Sequence, residues 1–465
     1  MINSPLNQHT IAAVSTPPGN GGIGIIRISG EDSFKIGVEL FRNKNFDSLT
    51  FNSIKYRYLY YGFIIDPQSN FKIDEVLIVF MKSPYSYTAE DVVEIHSHSG
   101  RFVLDKILSL VFYYGAEPAS PGEFTKRAFL NGRIDLTKAE AVMDMINSSS
   151  EASHKVAAGI FSGKLKEEIL EIRSFLVDLE ARITAFVDFP DDMEDDFDLS
   201  FFLESFNFIY EKIHILISNY NNFHQVRDGY KITIAGPPNA GKSSLLNRLI
   251  SKERAIVTSI PGTTRDIIEE SLNLDGFPFV LSDTAGIRET DDEIEKIGVT
   301  KSRELLEKSD LIIFVVDSLK DFDPDKDPLF KEIKKYSFIT VINKIDLLEK
   351  NVSRETFFYE NNKPVFISAA KNIGIDTLKQ RIIKFFEKNF YSTESYIVPN
   401  KRQFFLLDQI KSNIDSIILS LNNNCDIELL SFDLKNCIDL CSEILGEDIS
   451  PDILDKVFGD FCIGK

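Results

Sequence analysis

The run Gly236-Pro237-Pro238-Asn239-Ala240-Gly241-Lys242-Ser243 has the spacing G-x-x-x-x-G-K-S. That pattern suits a loop that wraps a polyphosphate in backbone N–H groups. An apolar stretch, 231–235, precedes it and a helical stretch, 244–250, follows. Glycines let the backbone come close to the phosphates, and the helix N-terminus adds positive potential. Lys242 would reach the outer phosphates, and the Ser243 hydroxyl would bind magnesium.

Other short motifs select the base. Asn343-Lys344-Ile345-Asp346 follows the apolar run 339–342. The Asp346 carboxylate can accept hydrogen bonds from guanine N1–H and from its exocyclic amine. Adenine has no such donor pair on that edge, so GTP is expected rather than ATP. Ser368-Ala369-Ala370-Lys371, after 365–367, can complete the base pocket through backbone N–H groups. Asp283-Thr284-Ala285-Gly286 follows another apolar run. A carboxylate there can hold the magnesium shell through water, and the Gly286 N–H can sense the γ-phosphate. Gly262-Thr263-Thr264-Arg265-Asp266 supplies a switch segment, with Thr264 as its magnesium-sensing hydroxyl.

One piece of hydrolytic machinery is missing from its usual place. Ras-like enzymes orient the attacking water with a glutamine just after Asp-x-x-Gly. Ile287 stands there in this chain and cannot hydrogen-bond water. Arg288, Glu289, Asp291, Asp292, Glu293 and Glu295 are the candidates downstream. Arg265 and Arg288 are the candidate arginine fingers. Asn239 offers a side-chain carbonyl beside the phosphates, where a monovalent cation could supply positive charge.

Positioning these motifs requires strands that end at them. Strands are expected at 231–235, 278–282, 311–316, 338–342 and 364–368, alternating with helices as in a doubly wound parallel sheet. Upstream, residues 1 to about 120 mix short β-rich runs with turns; 25–28 and 76–80 are strand candidates. From about 122 the pattern becomes helical. Leu165, Ile169, Ile172, Leu176, Leu179, Ile183 and Phe186 form one apolar stripe, the mark of a helix in a bundle core. The stripe ends in an acidic run around Pro190, and a further helical pattern covers roughly 200 to 222. After about 398 the chain is helical again. The simplest reading is a nucleotide domain inserted into a helical domain. The expected divisions are 1–121, then 122–226 with 391–465, and 227–390 between them.

Composition narrows the partners. The chain has 465 residues, 43% of them hydrophobic, and a net charge of −19. No apolar run approaches the roughly 20 residues of a membrane span, and a cytoplasmic protein is expected. So acidic a chain is a poor stand-alone binder of RNA; a basic partner or a local patch must supply the attraction. All four cysteines, Cys425, Cys437, Cys441 and Cys462, lie near the C-terminus without zinc spacing. Cys437 and Cys441 share a helix face, as expected of buried packing. His96 and His98 lie on one face of a strand, without a third ligand for a metal.

Four stretches outside the nucleotide motifs carry a family resemblance. They are Thr16–Gly30 (TPPGNGGIGIIRISG), 87–96 (YTAEDVVEIH), 121–133 (PGEFTKRAFLNGR) and Cys462-Ile463-Gly464-Lys465. With the GTPase motifs, they make the chain resemble the MnmE/TrmE family of tRNA-modification GTPases over nearly its whole length. The resemblance implies a multidomain α/β protein: an N-terminal α+β folate-binding and dimerisation domain, a helical domain, and an inserted Ras-like P-loop GTPase domain. It implies a homodimer that works with an FAD-containing partner, MnmG, as a heterotetramer. Its substrate would be the wobble uridine, position 34, of certain tRNAs. A carboxymethylaminomethyl or aminomethyl group would be added at C5, with the one-carbon unit from a tetrahydrofolate (5-formyl or 5,10-methylene). Potassium would promote hydrolysis of GTP.

By position, the resemblance places GTP against Asn239, Ala240, Gly241, Lys242, Ser243 and Ser244, and against Thr258, Ser259, Ile260, Pro261, Gly262, Thr263 and Thr264. It adds Asp283, Thr284, Ala285 and Gly286, then Asn343, Lys344 and Asp346, then Ser368, Ala369 and Ala370. Potassium would sit on Asn239, Thr258, Ile260 and Thr263, and magnesium on Ser243 and Thr264. Glu295 would orient the attacking water. The folate site falls on Arg27, Glu94, Arg133 and Lys465, where the family usually has Lys at the position of Arg133. A pterin edge resembles that of guanine, so Glu94 would suit it as Asp346 suits GTP. Cys462 is a candidate reactive thiol beside the folate. A regulatory GTPase that binds ribosomal RNA and does no base chemistry would explain the GTP motifs, but neither the N-terminal region nor the C-terminal tail.

Overall fold

The computed structural model describes 9–188 (less 18, 20 and 149), 198–250, 269–283 (less 275 and 276), 305–348 (less 320, 321, 324 and 325), 363–386, 397–423 and 427–465 (less 448). The chain divides into two compact units. One is Met1–Met143 with Ile438–Lys465, and the other is Asp144–Cys437.

The first unit is built on a seven-stranded sheet. Its strands are β1 Ile11–Val14, β2 Ile23–Ser29, β3 Phe41–Asn43, β4 Tyr60–Asp66, β5 Phe71–Met81, β6 Val92–His98 and β7 Glu117–Pro118, in the order β3-β4-β5-β6-β2-β1-β7. Neighbours are antiparallel except β1 and β7. The expected runs 25–28 and 76–80 fall inside β2 and β5. Successive side chains on a strand point to opposite faces. Ile26, Ile28, Ile78, Phe80, Val93 and Ile95 therefore share one face, buried with Ile36 and Leu40 of helix Ser33–Leu40 and with Ile107 of helix Arg101–Tyr113. The intervening residues Arg27, Glu94 and His96 occupy the other face. The β2–β6 register sets Arg27 opposite Glu94 and Ile25 opposite His96.

The C-terminal segment belongs to this same unit. Helix Pro451–Gly459, capped by the Ser450 side chain, buries Leu454 and Phe458 with Leu136 and Ala139. Phe458 also lies 6.4 Å from the ring of Phe129 in helix Glu123–Leu130. Residues 122–143 and 438–465, expected within the helical domain, thus pack with the N-terminal sheet.

The second unit combines long helices with a six-stranded sheet. Its strands are β8 Tyr230–Ala235, β9 Glu269–Leu274, β10 Phe277–Asp283, β11 Leu311–Asp317, β12 Phe338–Asn343 and β13 Val365–Phe366, in the order β13-β12-β11-β8-β10-β9. The five strands expected here are present, with the last cut to two residues. One difference is β9, an edge strand antiparallel to β10, which makes the sheet mixed rather than wholly parallel. Asp275-Gly276 lies between the two strands, a dipeptide favoured in hairpin turns. All of Leu311–Asp317 is buried, as a parallel strand covered on both faces must be.

The apolar stripe lies on helix Lys164–Asp188, which buries Leu165, Ile169, Ile172, Leu176, Leu179 and Ile183; Phe186 is half-buried. Helix Leu199–Asp228 is longer than expected and runs almost directly into β8. It packs on helix Lys401–Asn422, with Tyr220 and Phe404 stacked at 4.2 Å. Tyr230, at the entry to the sheet, lies 4.3 Å ring to ring from Phe386, at the end of helix Ile375–Phe386. The chain therefore enters and leaves the sheet at one place, the geometry of an insertion. Among the described residues, no helix is long and apolar enough to cross a membrane.

Candidate functional site

The phosphate loop lies between the end of β8 and helix Lys242–Ile250. Asn239 adopts φ +62°. Gly241 adopts φ +94°, and a Cβ there would strike Asn343 Nδ2; glycine is needed both for the turn and for the close approach. Lys242 is buried, and its Nζ donates to the carbonyls of Gly236 (2.9 Å) and Pro237 (3.0 Å). The ammonium is thus curled over the loop. Ser243 and Ser244 are exposed at the start of the helix.

Asn343 ties this loop to the loop expected against the base. Its Nδ2 donates to Ala240 O at 2.9 Å, and its Oδ1 accepts from Ala369 N at 3.1 Å. Lys344, at φ +66°, places its Nζ 2.7 Å from Asp317 Oδ2. Asp346 follows in a short 3-10 turn, Ile345–Leu347. Chiefly the Ser368 hydroxyl, and more weakly the Lys371 ammonium, hold the Asp346 carboxyl below the usual range for an aspartate. An ionised carboxylate at this place accepts hydrogen bonds and cannot donate them.

Ser368, Ala369 and Ala370 lie just beyond β13, and Ser368 N donates to Ile373 O at 2.9 Å. Sequence reasoning missed Arg248. Its Nε donates to Ala369 O and its Nη2 to Ala370 O, both at 3.0 Å. Its only sequence signal was its place one helical turn beyond Ser244.

The backbone of Asp283 ends β10. Thr258, Ser259, Ile260, Pro261, Gly262, Thr263, Thr264, Thr284, Ala285, Gly286 and Glu295 lie outside the described residues. So do Arg265, Ile287, Arg288, Glu289, Asp291, Asp292 and Glu293.

A second polar cluster forms in the first unit. Arg27 Nε donates to Glu94 Oε1 at 2.8 Å, and Arg27 Nη1 to Gly464 O at 3.4 Å. The Arg27 and Arg133 guanidiniums each lie 5.0 Å from the centre of the Tyr87 ring. Arg133 Nη1 also donates to Tyr87 O at 2.6 Å. Lys465 is half-buried close to Arg27; burial, then the Arg27 charge, holds its ammonium below the usual lysine range. The sheet, the Tyr87 loop, the turn after helix Glu123–Leu130 and the C-terminal segment thus set Arg27 against Glu94 and close to Lys465, with Arg27 and Arg133 both on Tyr87. Gly464 makes this seating possible. It adopts φ +92°, and a Cβ there would lie 2.9 Å from Ser15 Cα.

Glu94 is pulled in two directions. Burial pushes its carboxyl up, but His96 and Arg27 outweigh that and hold it below the usual range. His96 Nε2 lies 3.5 Å from Glu94 Oε2, yet it is buried and makes no hydrogen bond. His98 faces Asp74 instead, 2.8 Å from Oδ1. Among the described residues, no group of acids, histidines and cysteines could hold a metal ion.

Tyr87 was another residue that the sequence did not single out. Its hydroxyl bonds Thr125 Oγ1 at 2.9 Å. Nearby, Arg127 donates to Glu90 Oε2 (3.1 Å), Glu123 Oε1 (2.9 Å) and His9 O (3.0 Å), which fastens the loop carrying Tyr87. Cys437 and Cys441 are buried, and burial pushes the Cys437 thiol up to about 12; they pack rather than react. Cys462 is half-buried, and its carbonyl accepts from Lys465 N at 3.3 Å.

A phosphate loop after one strand and an Asn-Lys-x-Asp turn after another, on a sheet inserted among long helices, define the chain as a P-loop GTPase. Residues 10–133 match the family described as GTP-binding protein TrmE N-terminus, and 136–462 match the MnmE helical domain. The "tRNA modification GTPase MnmE" of Natranaerobius thermophilus is 43% identical over 99% of this chain and all of that protein. The protein of the same name from Acetivibrio thermocellus is 41% identical over 98% of this chain and 99% of that one. The G domain of the T. maritima FeoB iron transporter is 27% identical, covering 34% of this chain and 98% of that one at a TM-score of 0.27, so the assignment rests on the sequence relatives. The chain belongs to the MnmE/TrmE family of tRNA modification GTPases.

Proposed function

We propose that this chain is a potassium-stimulated GTPase that acts with an FAD-containing partner on the wobble uridine of certain tRNAs. It adds an aminomethyl or carboxymethylaminomethyl group at C5 of that base. GTP hydrolysis drives a conformational cycle, and a tetrahydrofolate derivative, when bound, supplies the one-carbon unit. The protein works as a homodimer and binds no membrane. Its three domains are an N-terminal folate-binding domain, on whose sheet 122–143 and 438–465 pack, a helical domain, and a GTPase domain inserted at about 226/227 and 390/391.

The observation that carries this reading is the presence of two separate polar sites in a chain matched along its full length by tRNA modification GTPases. At the first, Lys242 and the loop amides suit a polyphosphate, and Ser243 suits magnesium. Asp346, held ionised, suits the N–H edge of guanine. Asn239 would bind potassium, together with Thr258, Ile260 and Thr263. Thr264 would complete the magnesium set, and Glu295 would orient the attacking water that Ile287 cannot.

The second site suits a folate. Glu94 pairs with Arg27, while Lys465 lies close to Arg27 and Arg133 shares Tyr87 with it, so the cluster has positive charge to spare for an anion. Glu94 Oε2 faces His96 without a hydrogen bond and can accept from a pterin N–H edge. His96 Nε2, 3.5 Å from Glu94 Oε2, is a further polar group in the same place. Cys462 lies on the segment that carries Lys465, as a candidate thiol for the chemical step.

Mass spectrometry of tRNA from a strain lacking the gene tests the proposal. Wobble uridines without their C5 substituent are the expected result. Full modification in that strain would leave a regulatory GTPase without base chemistry as the better reading.

A further inference from the structure

We infer that Arg248 is a positioning residue for guanine recognition: it aims the amides of the loop 368–371 at the base. The inference rests on the guanine reading of the site and concerns a side chain that touches no nucleotide itself.

The loop is closed by a bridge between Ser368 and Ile373 and rests Ala369 N on Asn343 Oδ1, contacts that leave the carbonyls of Ala369 and Ala370 to another donor. The strand before it, β13, is only two residues long and pairs β12 at the sheet edge. Beyond the loop, Asn372 and Gly374 both take positive φ, so the chain turns sharply away. Ala369 is buried and its carbonyl needs a donor. Arg248 meets that need with one arm of its fork and grips the next carbonyl, Ala370 O, with another. A planar guanidinium suits two neighbouring acceptors in a way that an ammonium does not.

Peptide planarity turns this grip into aim. In a trans peptide the carbonyl oxygen and the following N–H point in opposite directions within one plane. Fixing Ala369 O therefore fixes the Ala370 N–H, and fixing Ala370 O fixes the Lys371 N–H. The second of these donates to Ser368 Oγ at 3.1 Å, and the Ser368 hydroxyl is the main group holding Asp346 ionised. One side chain thus orients both halves of the base pocket, the amide side and the carboxylate side. Arg248 lies on the helix that opens at Lys242, so the base loop is also tied to the element that carries the phosphate loop.

The test compares two nucleotides on the full-length protein. GDP offers an O6 acceptor to the loop amides. The diphosphate of 2-aminopurine riboside lacks both O6 and the N1–H but keeps the amine that Asp346 would read. Calorimetry of the unsubstituted protein should show GDP preferred by roughly 100-fold, the worth of two good hydrogen bonds. In Arg248→Ala, GDP binding should weaken by about tenfold and the analogue's by much less, so that the preference shrinks to about tenfold, the share of the N1–H. Arg248→Lys, which can reach only one carbonyl at a time, should fall between; it carries the test alone if circular dichroism shows the alanine variant unfolded. Equal weakening of both nucleotides, or an undiminished preference, would overturn the role of Arg248 and leave the guanine site standing. No preference for GDP in the unsubstituted protein would remove the guanine reading itself, and this inference with it.

Discussion

Arg27 and Glu94 face each other across β2 and β6, and the Arg27 Nε donates to Glu94 Oε1 at 2.8 Å. Both side chains are largely buried, at 16% and 17% exposure. The pair is cross-strand, charged and partly withdrawn from water. Removing one partner leaves the other with an unmet charge, whereas removing both does not. Arg27→Ala should therefore destabilise the protein by about 1–3 kcal/mol. The double variant Arg27→Ala with Glu94→Ala should lose clearly less than the sum of the two single losses. Urea unfolding of the set measures this, and strict additivity would argue against a coupled pair.

Glu94 should also leave a mark on the acid side of the stability curve. Its carboxyl is held below the usual range in the folded chain. A lowered folded pKa means that the unfolded chain binds the proton first as pH falls. The stabilisation is fully present above the unfolded value, about 4.3, and is lost as pH falls through the folded value. Glu94→Gln should flatten the pH dependence of urea stability below about pH 5 and leave its slope near pH 7 unchanged. A slope below pH 5 as steep as before would assign the titration to another acid.

Lys465 carries the opposite balance between stability and binding. Burial and the nearby Arg27 charge lower its pKa. Its protonated form is therefore disfavoured in the folded chain at neutral pH, with the penalty relieved as pH rises toward the unfolded value. Lys465→Met should raise the melting temperature at pH 7. The same change should weaken binding of 5-formyltetrahydrofolate by about tenfold or more, as loss of a charged hydrogen bond does. Thermal scans and calorimetry read the two effects separately, and tight folate binding by the variant would remove Lys465 from that site.

Asn343 holds Ala240 O and Ala369 N at once. Its removal leaves two buried backbone groups without their partner, each worth about 1–1.5 kcal/mol. Asn343→Ala should weaken GTP binding by roughly 10- to 100-fold. Equilibrium titration with a fluorescent GTP analogue measures it, and unchanged affinity would mean that the two loops keep their places unaided.

Two measurements address hydrolysis. GTP turnover should rise when sodium is replaced by potassium; equal rates in both salts would take the cation away from Asn239. Glu295→Ala should keep nucleotide affinity and lose about 10²-fold or more in turnover, as loss of a water-positioning group does. A retained rate would return that role to one of the other acids after Ile287.

Much of this was legible in the residues alone. Alternation marks β2 and a 3.6-residue period marks helix Lys164–Asp188, because burial of one face imposes those spacings, while continuous apolar runs mark β8, β11 and β12, which are covered on both faces. The phosphate loop and Asn343–Asp346 were legible for a related reason. Each is a short contiguous run whose backbone conformation, with Gly241 and Lys344 at positive φ, is local. The edge strand β9 was overlooked even though Asp275-Gly276 marks a hairpin.

What pattern could not supply was contact between residues far apart in the chain. Only tertiary structure seats Gly464 against Ser15, and with it brings Lys465 beside Arg27. The same holds for Tyr87 beside two guanidiniums and for Arg248 on the carbonyls of Ala369 and Ala370. Residue type and spacing determine which chemistry a short segment can offer. Which segments meet depends on long-range packing, where apolar burial is non-directional and only the folded chain sets the partners.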